Sequence, residues 1–162
     1  MELPKRKPNR LKSYDYDAEG VYFITICTQN KKCLLSRIVG GGALDAPSSQ
    51  LTEAGKSVEK YILSGTRIER VSVEKYTIMP NHIHLLLAVS GGTSKAPSPT
   101  NAIIPHFVST LKRFCHREVG EKVFQRSYHD HIIRNKQDFL RIWEYIDNNP
   151  KQWELDCFYV KE

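Results

Sequence analysis

Two histidines one residue apart, His82 and His84, stand in the run Met79-Pro-Asn-His-Ile-His-Leu-Leu-Leu87. On a β-strand alternate side chains share a face, so both imidazoles point one way while Ile83, Leu85 and Leu87 take the other. Neutral imidazole is a common nitrogen donor to metals, and two converging from one strand form a bidentate platform. Two half-buried histidines with ordinary hydrogen bonds would have the same spacing. The apolar run after them favours the metal reading, because it anchors the strand in a core and holds both rings rigidly.

A second pair of polar residues lies near the end of the chain, where Tyr145 and Asn149 in WEYIDNNP are four apart. On a helix they share one face, about 6 Å apart along the axis. A phenol attacks phosphorus through its phenolate, and with a pKa near 10 it needs a base or a metal-activated electrophile. A divalent ion would supply the latter by polarising a scissile phosphate. On spacing alone a core aromatic is the stronger reading of Tyr145, since Phe139, Trp143 and Ile146 already make this helix apolar. Asn149 precedes Pro150, which disfavours the helical region and loosens the placement of its carboxamide over the turn of Tyr145. Tyr128, in RSYHDH, is a rival nucleophile. Its neighbours His129, Asp130 and His131 read as local hydrogen bonding and strand pairing rather than as a second metal site.

These side chains need a scaffold. Residues 21–28 (VYFITICT) are β-branched and aromatic and read as a buried strand. Residues 51–64 read as a helix with Thr52 as N-cap. Residues 70–79 and 82–89 are strand patterns joined by a tight corner at Pro80-Asn81. Residues 101–119 form an amphipathic helix entered through Pro105, with Lys112, Arg113 and His116 off its apolar side. A strand over 123–133 leads to a helix over 137–148 that Pro150 ends. The Gly-, Ala-, Pro- and Ser-rich stretches within 36–50 and 90–101 read as flexible loops. Without them the order is β-α-β-β-α-β plus a terminal helix. The expected fold is therefore α+β: a ferredoxin-like antiparallel sheet with helices on one face and a C-terminal catalytic helix.

At 162 residues and 40% hydrophobic composition, the chain is long enough for one core, so 1–162 reads as a single domain. No stretch has the roughly 20 apolar residues of a membrane helix, and MELPKRKPNR lacks the apolar region of a secretory signal. The expectation is a cytoplasmic protein with no membrane partner. Cys27, Cys33, Cys115 and Cys157 show no CxxC spacing and read as reduced, buried thiols. Lysine and arginine outnumber acids 24 to 18, a net +6 that suits a polyanion. In the arm 1–16, Lys5, Arg6, Lys7, Arg10 and Lys12 precede Tyr14 and Tyr16, a pattern that fits phosphate contacts with base stacking and equally fits a solvated terminus.

PNHIHLLL, FQRSYHDHIIRN and the helix ending YIDNNP resemble the REP-associated tyrosine transposases, a family of single-tyrosine HUH enzymes. The resemblance runs from YDY and VYFITICT to Trp153, nearly the whole chain. Phe124 departs from the pattern, standing where relatives commonly have tryptophan before Gln-Arg. The resemblance implies His82 and His84 as metal ligands, Tyr145 as nucleophile and Asn149 as the third ligand, with Asn148 as the alternative because Pro150 follows Asn149. It implies Mg²⁺ or Mn²⁺ as cofactor and cleavage of single-stranded DNA beside a hairpin or palindromic repeat. The product would be a 5′-phosphotyrosine link and a free 3′-hydroxyl. DNA contacts are expected from the basic arm and from Lys112, Arg113 and Arg126, and a homodimer is compatible with the family. Two other readings stand beside this one. The first is a relative that binds hairpins without cutting them. The second is a histidine-triad hydrolase, which Leu86 disfavours by occupying the place of the third histidine.

Overall fold

The computed structural model describes residues 18–91 and 102–161. The basic arm, with Lys5, Arg6, Lys7 and Arg10, and most of the 90–101 loop lie outside the described residues.

Four strands form one antiparallel sheet: β1 (Gly20–Cys27), β4 (Val71–Ile78), β5 (His82–Val89) and β6 (His129–Ile133), in the order β4-β5-β1-β6. The helices are α1 (Glu53–Ser64), α2 (Ile103–Val119) and α3 (Lys136–Asn148). This is the expected ferredoxin-like arrangement. Thr52 caps α1 by accepting from Gly55 N, and Asn135 caps α3 by accepting from Asp138 N. Gly120, left-handed at φ 82°, closes α2.

The alternation in β1 and β5 sorts residues to the two faces of the sheet. Tyr22, Ile24 and Ile26 of β1 join Ile83, Leu85, Leu87 and Val89 of β5 in the main core, under Val58 and Ile62 of α1 and Phe107, Val108 and Leu111 of α2. On the other face Leu86 packs with Ile142 and Ile146 of α3, flanked by Phe23 and Trp143. Both faces of β5 are therefore covered, which is why its sequence is nearly all apolar. Each such side chain contributes about 1.5–3 kcal/mol of burial, so the strand is a firm support for the two histidines it carries. At its other edge α3 is tied to β4 by Lys75, whose ammonium lies 2.6 Å from Asp147 and 4.0 Å from the centre of the Trp143 ring.

Two segments differ from expectation. Within 36–50, read as loop, β2 (Ser36–Val39) and β3 (Ser48–Leu51) pair as a hairpin, Ser36 opposite Leu51. Ser36 and Ser49 hydroxyls both donate to the Ile78 carbonyl, a tertiary contact that gives polar residues a reason to be extended. The last strand is shorter than 123–133, since Phe124 contributes only an isolated bridge with Thr28. Between them the Lys112 ammonium takes the carbonyls of Gln125, Arg126 and Ser127, at 2.9, 3.0 and 3.1 Å, diverting them from a ladder. No disulfide joins the cysteines; Cys27 and Cys115 are buried, whereas Cys157 is exposed. Among the described residues no helix is long and apolar enough to cross a membrane.

Candidate metal and nucleophile site

His82 and His84 open β5, directly after a two-residue corner in which Met79 N donates to His82 O. They lie opposite Cys27 and Thr25 of β1 and face α3, as the alternation requires. Both are fully buried, at 0% and 1% exposure, with ring centres 4.6 Å apart. Each Nδ1 has a partner: Asn81 Oδ1 at 2.9 Å for His82, and Thr25 Oγ1 at 2.8 Å for His84. That leaves both Nε2 atoms to point into the space between the sheet and the end of α3.

Tyr145 enters that space from α3. Its hydroxyl is 3.4 Å from His84 Nε2, and its ring meets the His84 and Phe23 rings edge-on. Asn149 follows one turn later, with helical angles (φ −57°, ψ −44°) despite the proline after it. Its carboxamide Nδ2 donates to Asp156 Oδ2 at 3.1 Å. Asn148 turns away, accepting from Lys151. Tyr128 packs against the main core on the opposite face, 5.7 Å from the Lys112 ammonium, so Tyr145 and not Tyr128 stands beside the histidines.

Asp156 is the member that sequence reasoning missed. It follows a 3₁₀ turn over Pro150–Leu155 and is held by an Asx turn, its Oδ1 accepting from Phe158 N at 2.7 Å. Its Oδ2 lies 3.9 Å from His82 Nε2, and the carboxylate is 2% exposed. Ligand atoms of His82, His84 and Asp156 all lie within 4.8 Å of one another. Donors bound about 2.1 Å from a common ion would be about 3–4.2 Å apart, so only a small contraction is needed. Nothing in the spacing of WELDCF distinguishes this acid from its neighbours. Only the path of the chain after α3 brings it in.

The residues fit a divalent cation on physical grounds. Buried polar atoms without hydrogen-bond partners are rare, and among the described residues they are His82 Nε2, Asn149 Oδ1 and Asp130 Oδ2. The first two belong to this cluster. Burial holds His82 down at about 4, with Asp156 and Asn149 opposing, and holds His84 well below its usual value, with His82 adding to the effect. Both are therefore neutral donors at pH 7. Burial, followed by the Asp156 charge, pushes the Tyr145 phenol up to about 12.

Beside His84 and Tyr145 a cleft of about 400 Å³ opens, lined also by Phe23, Thr25, His131 and Arg141. Asp138 braces its outer wall, contacting His131 at 2.8 Å and Arg141 at 2.5 Å. His129 and Asp130 lie in the β1–β6 ladder, the strand pairing expected of them. The surface residues expected to touch a polyanion fare differently. Arg113 and Arg126 are exposed, Arg113 lying over the Phe114 ring. Lys112 is buried, its three N–H donors all taken by the carbonyls before β6. It is a structural residue here and has no free donor for a phosphate, a correction to its expected role. Phe124 is a fully buried core residue.

No family model matches the chain. An uncharacterised protein of Haemophilus influenzae is 34% identical, over 96% of this chain and 93% of that protein. A second Haemophilus influenzae protein, named as a candidate REP-associated tyrosine transposase, is 25% identical over 90% of this chain and 83% of its own length. Among solved structures, a REP-associated tyrosine transposase bound to a REP hairpin shares the fold. Its TM-score is 0.62 and its identity 17%, over 87% of this chain and 72% of that one.

Proposed function

We propose that this chain, which is similar over most of its length to a candidate REP-associated tyrosine transposase, is a metal-dependent endonuclease and strand transferase that cleaves single-stranded DNA beside a hairpin through Tyr145. The observation that carries this reading is the Tyr145 hydroxyl 3.4 Å from His84 Nε2, at the edge of the His82–His84–Asp156 cluster. A nucleophile next to a three-donor site is the arrangement phosphoryl transfer by a tyrosine requires.

His82, His84 and Asp156 would hold the ion, with Asn149 Oδ1 beside them as the fourth donor. Mg²⁺ or Mn²⁺ suits a site that mixes imidazole with carboxylate and amide oxygen. When bound, such an ion polarises the phosphate and offsets its developing charge. Tyr145 then forms a bond from Oη to phosphorus and loses its proton. The bond from phosphorus to the 3′-oxygen breaks, and that oxygen gains a proton. The products are a 5′-phosphotyrosine and a free 3′-hydroxyl. Because the phenol is held near 12, it is protonated at neutral pH and would depend on the positive field of a bound cation, since the Asp156 charge opposes its ionisation. The cleft with His131 and Arg141 continues from Tyr145 and suits the passage of a phosphodiester strand. Exposed Arg113 and Arg126, with the overall +6 charge, suit the polyanion. Hairpin DNA is the partner in the solved relative, and we carry it to this chain as the substrate class.

The test is incubation with Mn²⁺ and single strands bearing palindromic hairpins, followed by denaturing electrophoresis. A covalent protein–DNA adduct is expected. Tight hairpin binding by the wild-type protein with no adduct under any metal would instead identify a non-cleaving hairpin binder.

A further inference from the structure

Asn81 is 1% exposed, and its partners fix its own orientation. The carbonyls of Lys31 and Phe158 lie 3.3 and 2.8 Å from one end of the carboxamide, so that end is the NH₂ donor. The other end is then the oxygen, 2.9 Å from His82 Nδ1. An oxygen there accepts only, so His82 Nδ1 carries the proton and Nε2 keeps its lone pair. Nε2 is the atom without a hydrogen-bond partner, 3.9 Å from Asp156 Oδ2.

The same side chain reaches the other half of the site. Phe158 lies two residues beyond Asp156, donates its N–H to Asp156 Oδ1, and packs its ring 4.7 Å from that of His82. The main-chain carbonyl of Asn81 separately accepts from Thr28 N and from the Thr28 hydroxyl, which ties the corner before β5 to the end of β1. One buried carboxamide thus joins the strand that carries two donors to the tail that carries the third.

We propose that Asn81 is the positioning residue that assembles this centre: it sets His82 with Nε2 inward and, through the Phe158 carbonyl, docks the 156–158 tail so that Asp156 reaches it. The inference rests on reading the cluster as a metal centre. It makes two otherwise separate properties, the His82 tautomer and the order of the tail, depend on one side chain. It also links tail docking to metal affinity, so that each strengthens the other.

The experiment uses the full chain, with Asn81→Ala and Asn81→Asp beside wild type. Histidine ring ¹⁵N shifts and amide exchange over 150–161 are read in metal-free protein, and Mn²⁺ binding is read separately. Wild type should show His82 protonated at Nδ1. Asn81→Ala should mix the tautomers, speed exchange in the tail and weaken Mn²⁺ binding about 10–100-fold. Asn81→Asp keeps an acceptor for Nδ1–H but loses both donors, so it should keep the tautomer and still free the tail. Protonation at Nε2 in wild type overturns the proposal, and so does unchanged tail exchange in either variant. Should Asn81→Ala not fold, the wild-type tautomer and Asn81→Asp still decide. Absence of Mn²⁺ binding by wild type, with tautomer and tail behaving as expected, would instead overturn the metal reading and leave the positioning by Asn81 supported.

Discussion

The Tyr145 hydroxyl lies 3.4 Å from His84 Nε2, although the two residues are 61 apart in the chain. One comes from the central strand and the other from the last helix, and the apolar contact of Leu86 with Ile142 and Ile146 holds those elements together. Removing the phenol should therefore abolish chemistry and spare the fold. Tyr145→Phe is expected to reduce the protein–DNA adduct by at least about 10³-fold, with hairpin affinity nearly unchanged. A gel assay alongside a binding isotherm checks this, and an adduct that persists in the variant would move the nucleophile elsewhere.

In the proposed centre Asp156 would supply the anionic donor, so its loss should be felt in metal binding before anything else. Asp156→Asn is expected to weaken Mn²⁺ by tenfold or more, about 1.4 kcal/mol at least. Asn149→Ala should weaken it less, because the carboxamide is a neutral donor. Titration calorimetry or Mn²⁺ resonance on the two variants tests the order, and a larger effect at Asn149 would reverse the assignment.

Stability of the metal-free protein should fall with acid. The unfolded chain protonates His82 near 6.5, whereas the folded chain protonates it only at about 4. The unfolded state thus binds more protons across that window, and stability decreases as pH falls through it. For His82 the difference corresponds to about 3 kcal/mol, and His84 adds in the same direction. Urea melts with EDTA at pH 7, 5.5 and 4 measure it, and a flat profile would contradict neutral buried histidines. Metal affinity should fall over the same range, since protons compete for the donors.

Lys112 and Arg113 are neighbours with opposite expected behaviour. Burial lowers the Lys112 ammonium to about 8, with Cys27 opposing and Lys122 adding to the shift, and the ammonium donates to three carbonyls. Lys112→Met leaves those carbonyls without their donor and should cost about 3 kcal/mol of stability. Arg113→Ala should leave stability nearly unchanged and reduce the salt slope of DNA binding by just under one. Chemical denaturation and salt-dependent binding separate the two, and a normal melt for Lys112→Met would remove its structural role.

The sequence by itself determined the strand that carries His82 and His84, the common face of the two rings, the helix under Tyr145 and the ferredoxin-like order of elements. Those features follow from local periodicity: two for strands, 3.6 for helices, with Thr52 and Pro150 marking ends. The tertiary structure decided what periodicity does not encode. Asp156 reaches His82 only because the chain doubles back after Pro150, and a contact across 74 positions leaves no local signature. Ser36 and Ser49 become strand residues because the Ile78 carbonyl lies between them. Lys112, exposed by any helical reading, is drawn inward by three carbonyls that no local pattern predicts. The sequence thus named the two histidines and the tyrosine of the candidate site, while packing between distant segments supplied the carboxylate and the carboxamide that complete their surroundings.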